Sequence, residues 1–269
     1  MKHSAINNAT PPLADSHCHF DFSIFDTERA ALYQQACANN LQHIIIPGIH
    51  PQQWQQALDT SRTYPRCHAA AGIHPHFLEH TSQHSIEQLK QWIEQNTPIA
   101  IGECGLDYSK PALSKAQTKE YQRQLFIEQL KLAEHYQLPI IIHSVRATEE
   151  VIQHLKQYPS VQGMIHWFSG SQEQAKQLIQ MGFYLSYGAA ACNPQAKKLQ
   201  ASLKATPLSH LLIETDAPDQ ALPSQPPPNA PHHLLSIAKQ IAHIRNEPLE
   251  KIAEHSLNNC QQLFNLPCQ

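Results

Sequence analysis

Two histidines flank a cysteine in the stretch ADSHCHF, Ala14 to Phe20, directly after Asp15. Imidazoles are common ligands for zinc-like metals, and carboxylates complete such sites. Along an extended strand, residues two apart share a face. His17 and His19 then point together, with Asp15 beneath them and Cys18 turned away. Two polar residues hydrogen-bonded at a strand end have the same pattern, so the pair alone decides nothing. The same residue types recur, however. Glu103 and Asp107 lie in IAIGECGLD, His143 in PIIIHSV, His166 in QGMIHWFSG, Glu214 and Asp216 in LLIETDA, and His74 closes CHAAAGIH. Structural ion pairs account for one or two such groups. They do not account for a set of four histidines (His17, His19, His143 and His166) and two carboxylates (Glu103 with Glu214 or Asp216) arriving from five apolar runs, because unpaired buried charge is costly. The mixture suits a pair of divalent ions such as zinc or manganese; magnesium prefers oxygen. A carboxylate between two ions can bridge them, and the pair can acidify a water and stabilise both entering and leaving oxygens. Strand parity leaves Glu214 and Asp216 as equal candidates for the last carboxylate.

What must position these groups is a repeating unit. Eight apolar runs begin at Leu13, His43, Cys67, Ile99, Pro139, Gln162, Gly182 and Leu211. Several are nearly continuous in Ile, Val or Leu, as parallel strands buried on both faces should be. Polar stretches of helical period separate them. Phe126, Leu130 and Ala133 recur at i, i+4, i+7, and Ala175, Leu178 and Ile179 at i, i+3, i+4. Ser85/Gln88, Ser114/Gln117 and Ser171/Gln174 have the spacing of a capping box. Eight β-α units in 269 residues predict an α/β fold, a (β/α)8 TIM barrel in a single domain. An open doubly wound sheet is the competing arrangement. In a barrel the C-terminal strand ends meet at one mouth, which would gather the ionisable groups.

Hydrophobic residues make up 41% of the chain and charged residues 15%, with a net charge of −3. This is an ordinary globular composition without the basic surplus of a clamp on long duplex nucleic acid. Any grip on nucleic acid must be local to one cleft. Seven scattered cysteines with no C-x-x-C argue against a disulfide framework or a thiolate zinc site, and for a reducing compartment. No apolar run approaches transmembrane length. Residues 1–12 read as a short disordered tail and 13–269 as one domain. The expectation is a cytoplasmic protein with no membrane association and no obligate protein partner. The proline-rich stretch Ala217 to Pro231 predicts a stiff loop after the last strand. His76 and His232 fall in loops that would face the mouth, whereas Lys197 and Lys198 read as a solvated helix face.

The ordered segments DSHCHFD, GIHPH, GECGLDY, PIIIHSVRA, HWFSGS, ETDAP and NNCQQLF resemble the TatD family of metal-dependent deoxyribonucleases and hydrolases, within the amidohydrolase-like barrels. The resemblance runs from about Leu13 to Phe264. It implies two divalent metals (Zn, Mn or Mg). His17, His19 and Asp216 would hold the first, His143 and His166 the second, and Glu103 would bridge them. Asp216 and Glu103 then carry the catalysis, with Asp216 orienting the water or taking its proton. Asp15, Asp107 and Glu214 are left to orient ligands. His74 becomes a residue that either meets the substrate or supports the ligands. Ser144, Arg146 and Ser169 follow the second-metal histidines and are candidates for touching phosphate. The sequence departs from the family in the loop DQALPSQPPPNAP, which carries no Lys or Arg where a basic residue is frequent. It also reads SVR after His143 in place of the commoner Ser-Arg. Both changes spare the metals and weaken the expected hold on phosphate.

These features lead to a metal-dependent hydrolase. The foremost expectation is a deoxyribonuclease cleaving phosphodiesters, exonuclease-like on single-stranded DNA, through a water activated by two metals. Hydrolysis of another ester or amide, such as deacylation of misacylated tRNA, is the second reading. A binding protein on a catalytically retired barrel is the third.

Overall fold

The computed structural model describes residues 10–82 and 84–268. Most of the predicted N-terminal tail, residues 1–9, and the final residue lie outside the described residues. All eight apolar runs form strands: β1 (Leu13–Asp15), β2 (Leu41–Ile46), β3 (Cys67–Ala69), β4 (Ile101–Asp107), β5 (Ile140–Val145), β6 (Gly163–Ile165), β7 (Tyr184–Tyr187) and β8 (Leu211–Ile213). Neighbours pair in parallel in the orders β1-β2-β3 and β4-β5-β6-β7-β8. A parallel bridge between Ala71 and Ile101 joins the two ladders. At the other edge the Ser16 amide donates to the Ile213 carbonyl at 3.1 Å. The ring closes, which excludes the open sheet and makes this a (β/α)8 barrel.

The helices are α1 (Arg29–Ala38), α2 (Trp54–Thr63), α3 (Ser85–Asn96), α4 (Ala116–Tyr136), α5 (Thr148–Leu155), α6 (Gln172–Gln180), α7 (Ala189–Cys192), α8 (Lys197–Ala205), α9 (Leu234–Arg245) and α10 (Leu249–Phe264). Phe126, Leu130 and Ala133 of α4, and Ala175 and Leu178 of α6, are buried as their spacing predicts. Of the three expected capping boxes only Ser171/Gln174 forms. Ser85 is already the first helical residue of α3, and α4 begins after Lys115, one position beyond Ser114, so neither serine stands where a cap is needed. No described helix is long and apolar enough to cross a membrane. All seven cysteines are free.

Two apolar layers hold the barrel. The outer one lies between strands and helices. The inner one takes Ala14, Ile45, Ala70, Ala100, Ile141, Met164, Tyr184 and Leu212, one residue from each strand or its edge, and is closed below by Leu257, Cys260, Leu263 and Phe264 of α10. Above this layer, inward positions two residues further on carry ionisable side chains: His143 follows Ile141, His166 follows Met164, and Glu214 follows Leu212.

Strand β4 needs a correction to that rhythm. Its register with β5 shifts between Ile101 and Cys104. Ile101, Cys104 and Leu106 all pack in the outer layer. The irregularity inserts one extra residue and so turns Glu103 inward, as bulges do beside active sites. Gly105 permits the close approach of β4 to β5. Its φ is +136°, and a Cβ there would overlap the His143 carbonyl.

Candidate metal centre

Glu103 lies at the centre of the mouth and is only 2% exposed. Its two carboxylate oxygens serve different neighbours. Oε2 lies 3.2 Å from His17 Nε2 and 3.5 Å from His19 Nε2. Oε1 lies 2.8 Å from His166 Nε2, 2.9 Å from His143 Nδ1 and 3.2 Å from His74 Nε2. Asp216 Oδ1 lies 3.6 Å from His17 Nε2 and 3.9 Å from His19 Nε2. The donor atoms fall into compact groups spanning no more than 4.8 Å: His17 with His19 and Glu103, His17 with His166 and Asp216, and His74 with Glu103 and His143.

Local backbone brings these groups in. Past Asp15 the chain leaves the strand, and both histidines reach the centre from this coil. Continued strand alternation from inward Ala14 would turn Ser16 inward and His17 outward. Ser16 does point into the barrel, where its hydroxyl lies 2.8 Å from that of Ser186. Cys18 is fully buried in the outer apolar layer, away from the centre. Asp216 sits at a positive φ of 54°, just beyond β8. That turn is held from two sides. Asp15 accepts hydrogen bonds from the Thr215 amide (2.9 Å) and hydroxyl (2.5 Å). Asn229 Nδ2 donates to the Thr215 carbonyl at 2.8 Å. Thr215 and Asn229 escape the sequence reading. The one available sign is a lone asparagine among prolines in PPPNAP, which proves fully buried.

Asp107 and Glu214 stand against two of these imidazoles. Asp107 Oδ2 lies 2.9 Å from His143 Nε2 and 2.7 Å from His76 Nε2. Its Oδ1 accepts from the Ser109 amide and hydroxyl. Glu214 Oε1 accepts from the Trp167 amide at 2.6 Å and lies 3.7 Å from His166 Nδ1.

The electrostatics follow from burial and crowding. Burial alone would raise the pKa of Glu103, but His166, His74 and His17 outweigh it and hold the carboxyl well below its usual range. Burial lowers the pKa of His17 and His19, and lowers that of His74 to about 4. It opposes protonation of His166 too, yet Glu103 and Glu214 push that pKa well above the usual imidazole value. Burial raises Asp216 well above the carboxylate range and Asp15 to about 7.

The donor set fits divalent cations. Both ring nitrogens of His17 are buried without a hydrogen-bond partner among the described residues, as are His19 Nδ1 and Glu214 Oε2. Buried polar atoms are normally satisfied. His17 and His19, whose pKa burial lowers, are neutral imidazoles facing an ionised carboxylate, the ligands a zinc- or manganese-like ion takes.

The remaining expected residues divide between this cavity and its surroundings. His74 lines the cavity with its Nε2 3.2 Å from Glu103 Oε1. His76 lines the same cavity, whereas His232 does not. Ser144 is not brought to the cavity. It alternates with inward-facing His143, is 5% exposed, and donates its hydroxyl to Thr148 Oγ1 of α5. Arg146 and Ser169 are exposed and line a neighbouring cleft of about 550 Å3, not the histidine cavity. Lys197 and Lys198 are exposed on α8.

Residues 14–265 match the family model described as TatD related DNase. The chain belongs to that family. It is 37% identical over 257 residues to YjjV of Escherichia coli K12, described as an uncharacterized metal-dependent hydrolase, covering 94% of this chain and 98% of that protein. The crystal structure of YjjV matches with a TM-score of 0.89 at 36% identity, over 95% of this chain and 98% of that one. The 3'-5' ssDNA/RNA exonuclease TatD of Salmonella typhimurium LT2 is 32% identical over 251 residues, 90% of this chain and 95% of that protein. The TatD family assignment makes the chain a metal-dependent hydrolase.

Proposed function

We propose that this hydrolase cleaves phosphodiester bonds at the ends of single-stranded DNA, using two divalent cations. The observation that carries the reading is the division of Glu103: one oxygen faces His17 and His19, the other His74, His143 and His166. A single carboxylate set between two groups of imidazoles has the form of a bridge. His17, His19 and Asp216 would hold one ion, and His143 and His166 the other, with His74 beside the bridge. Bound there, the cations would supply Lewis acidity, lowering the pKa of a water and stabilising charge on the phosphoryl oxygens.

The residues of the chain do the rest. Asp216, whose Oδ1 stands 3.6 Å from His17 Nε2 at the cavity wall, is placed to orient the attacking water or take its proton. Asp107 and Glu214 fix the imidazoles of His143 and His166. Asp15, through Thr215, fixes the turn that carries Asp216. Arg146 and Ser169 would meet a substrate only where the strand extends past Trp167 into the neighbouring cleft. The relative named as an ssDNA/RNA exonuclease supports a nucleic-acid substrate, and seven free cysteines support a reducing cytoplasmic setting.

One observation favours a second reading. Among the described residues that line the cavity, none is Lys or Arg. A less anionic ester or amide, such as the aminoacyl ester of a misacylated tRNA, would suit such a wall. Steady-state hydrolysis of an end-labelled oligonucleotide, set against a panel of carboxylic esters and aminoacyl-tRNA, separates the two. Oligonucleotide shortening is expected. Ester turnover without it would reverse the assignment.

A further inference from the structure

The cavity of about 270 Å3 has two chemically distinct parts. The metal-site groups that line it, His19, His74, Glu103, His143, His166 and Asp216, are all buried. Phe22, Phe77 and Trp167 are only half-buried and lie around its outer rim, together with half-buried His76 and Gln220 and exposed Asp219. They come from three separate loops, after β1, β3 and β6. Three partly exposed aromatics around one mouth are unlike scattered surface apolar residues, and mark a binding surface.

Each ring is fixed to the metal site. Phe22 stacks on His19, with ring centroids 4.6 Å apart and planes inclined by 25°. Its loop is tied down by Arg29, whose guanidinium donates to the carbonyls of Phe20, Asp21 and Phe22 at 2.7–2.9 Å. The Phe77 amide donates to the His74 carbonyl at 3.1 Å, and the two rings lie 5.6 Å apart. Trp167 directly follows His166, and its amide is held by Glu214. The ring is thus preorganised, which reduces the ordering cost of binding.

The charge pattern says what this ring is for. With no Lys or Arg lining the cavity, and none in the loop from Asp219 to Pro231, side chains offer no cationic hold on a nucleotide there. Aromatic faces remain, and every nucleobase has a π-face to lay on them.

We propose that Phe22, Phe77 and Trp167 seat an unpaired nucleobase next to the attacked phosphodiester. The inference rests on the nuclease reading and adds what selects the substrate: a base free of its partner strand. Loss of one base–aromatic stack should weaken recognition about tenfold.

The test uses the metal-loaded native chain and single-stranded oligonucleotides that are identical except for an abasic tetrahydrofuran residue at one end or the other. At the attacked end the abasic residue should lower kcat/KM about tenfold, mainly through KM. In Phe22→Leu and Trp167→Leu the ratio between normal and abasic ends should move towards one, whereas Phe22→Tyr should retain it. Equal kcat/KM for normal and abasic ends in the native chain overturns the inference while leaving the nuclease reading intact. So does an unchanged ratio in both leucine variants, which would seat the base elsewhere. Failure to shorten any oligonucleotide overturns the nuclease reading itself.

Discussion

His143 is gripped at both ring nitrogens: Nε2 lies 2.9 Å from Asp107 Oδ2, and Nδ1 lies 2.9 Å from Glu103 Oε1. A proton on Nε2, donated to Asp107, leaves the Nδ1 lone pair facing the centre. Asp107 is itself fixed by His76 and Ser109. Asp107→Asn should therefore release the imidazole without removing a ligand. Metal affinity is expected to fall by about ten- to a hundredfold, measured by competition with a chelating dye. Unchanged affinity would show that the Asp107 contact does not orient His143.

The floor of the barrel has its own pH dependence. His43 Nδ1 and His68 Nε2 lie 3.0 Å apart beneath the inner layer, with Gln261 of α10 beside His43. Burial, then the neighbouring His43, lowers the pKa of His68 to about 4. Its pKa in the unfolded chain is about 6.5. Between these values the unfolded chain binds the proton and the folded one does not. The contribution is thus complete above about pH 6.5 and is lost as pH falls towards 4. Melting temperatures across that window should drop less steeply for His68→Gln than for the native chain. A difference on the order of 1–2 kcal/mol is expected, below the full shift because water screens part of the ring.

Arg146 stands exposed, with no hydrogen bond or ion pair among the described residues, in the cleft beyond Trp167. A phosphate of an extended strand is the partner open to it. Arg146→Ala should raise KM more for long oligonucleotides than for dinucleotides. It should also make the log–log salt dependence of KM shallower by about 0.7, the contribution of one phosphate contact on a single strand. An identical salt slope would leave Arg146 a solvated surface charge.

The strand order and the set of mouth residues are legible in the sequence because both depend on local pattern. Continuous apolar runs mark buried parallel strands, and ionisable residues stand out at their ends. What is not legible depends on local breaks in that pattern. Glu103 faces inward through a register irregularity, and His17 does so because the chain leaves the strand after Asp15. Asp216 is aimed by a left-handed turn buttressed from Asp15 and Asn229, which no spacing rule separates from Glu214. Ser144 shows the converse: its place after His143 suggested substrate contact, but strand alternation turns it towards α5.

The division of Glu103 between two sets of imidazoles is tested most directly by calorimetric titration of the metal-free chain with zinc and with manganese, alongside Glu103→Gln. The native chain is expected to take up two equivalents, and the substitution should weaken both, since the carboxylate faces both sets. A native chain that binds neither metal, or a Glu103→Gln chain that binds both as the native does, would contradict the account.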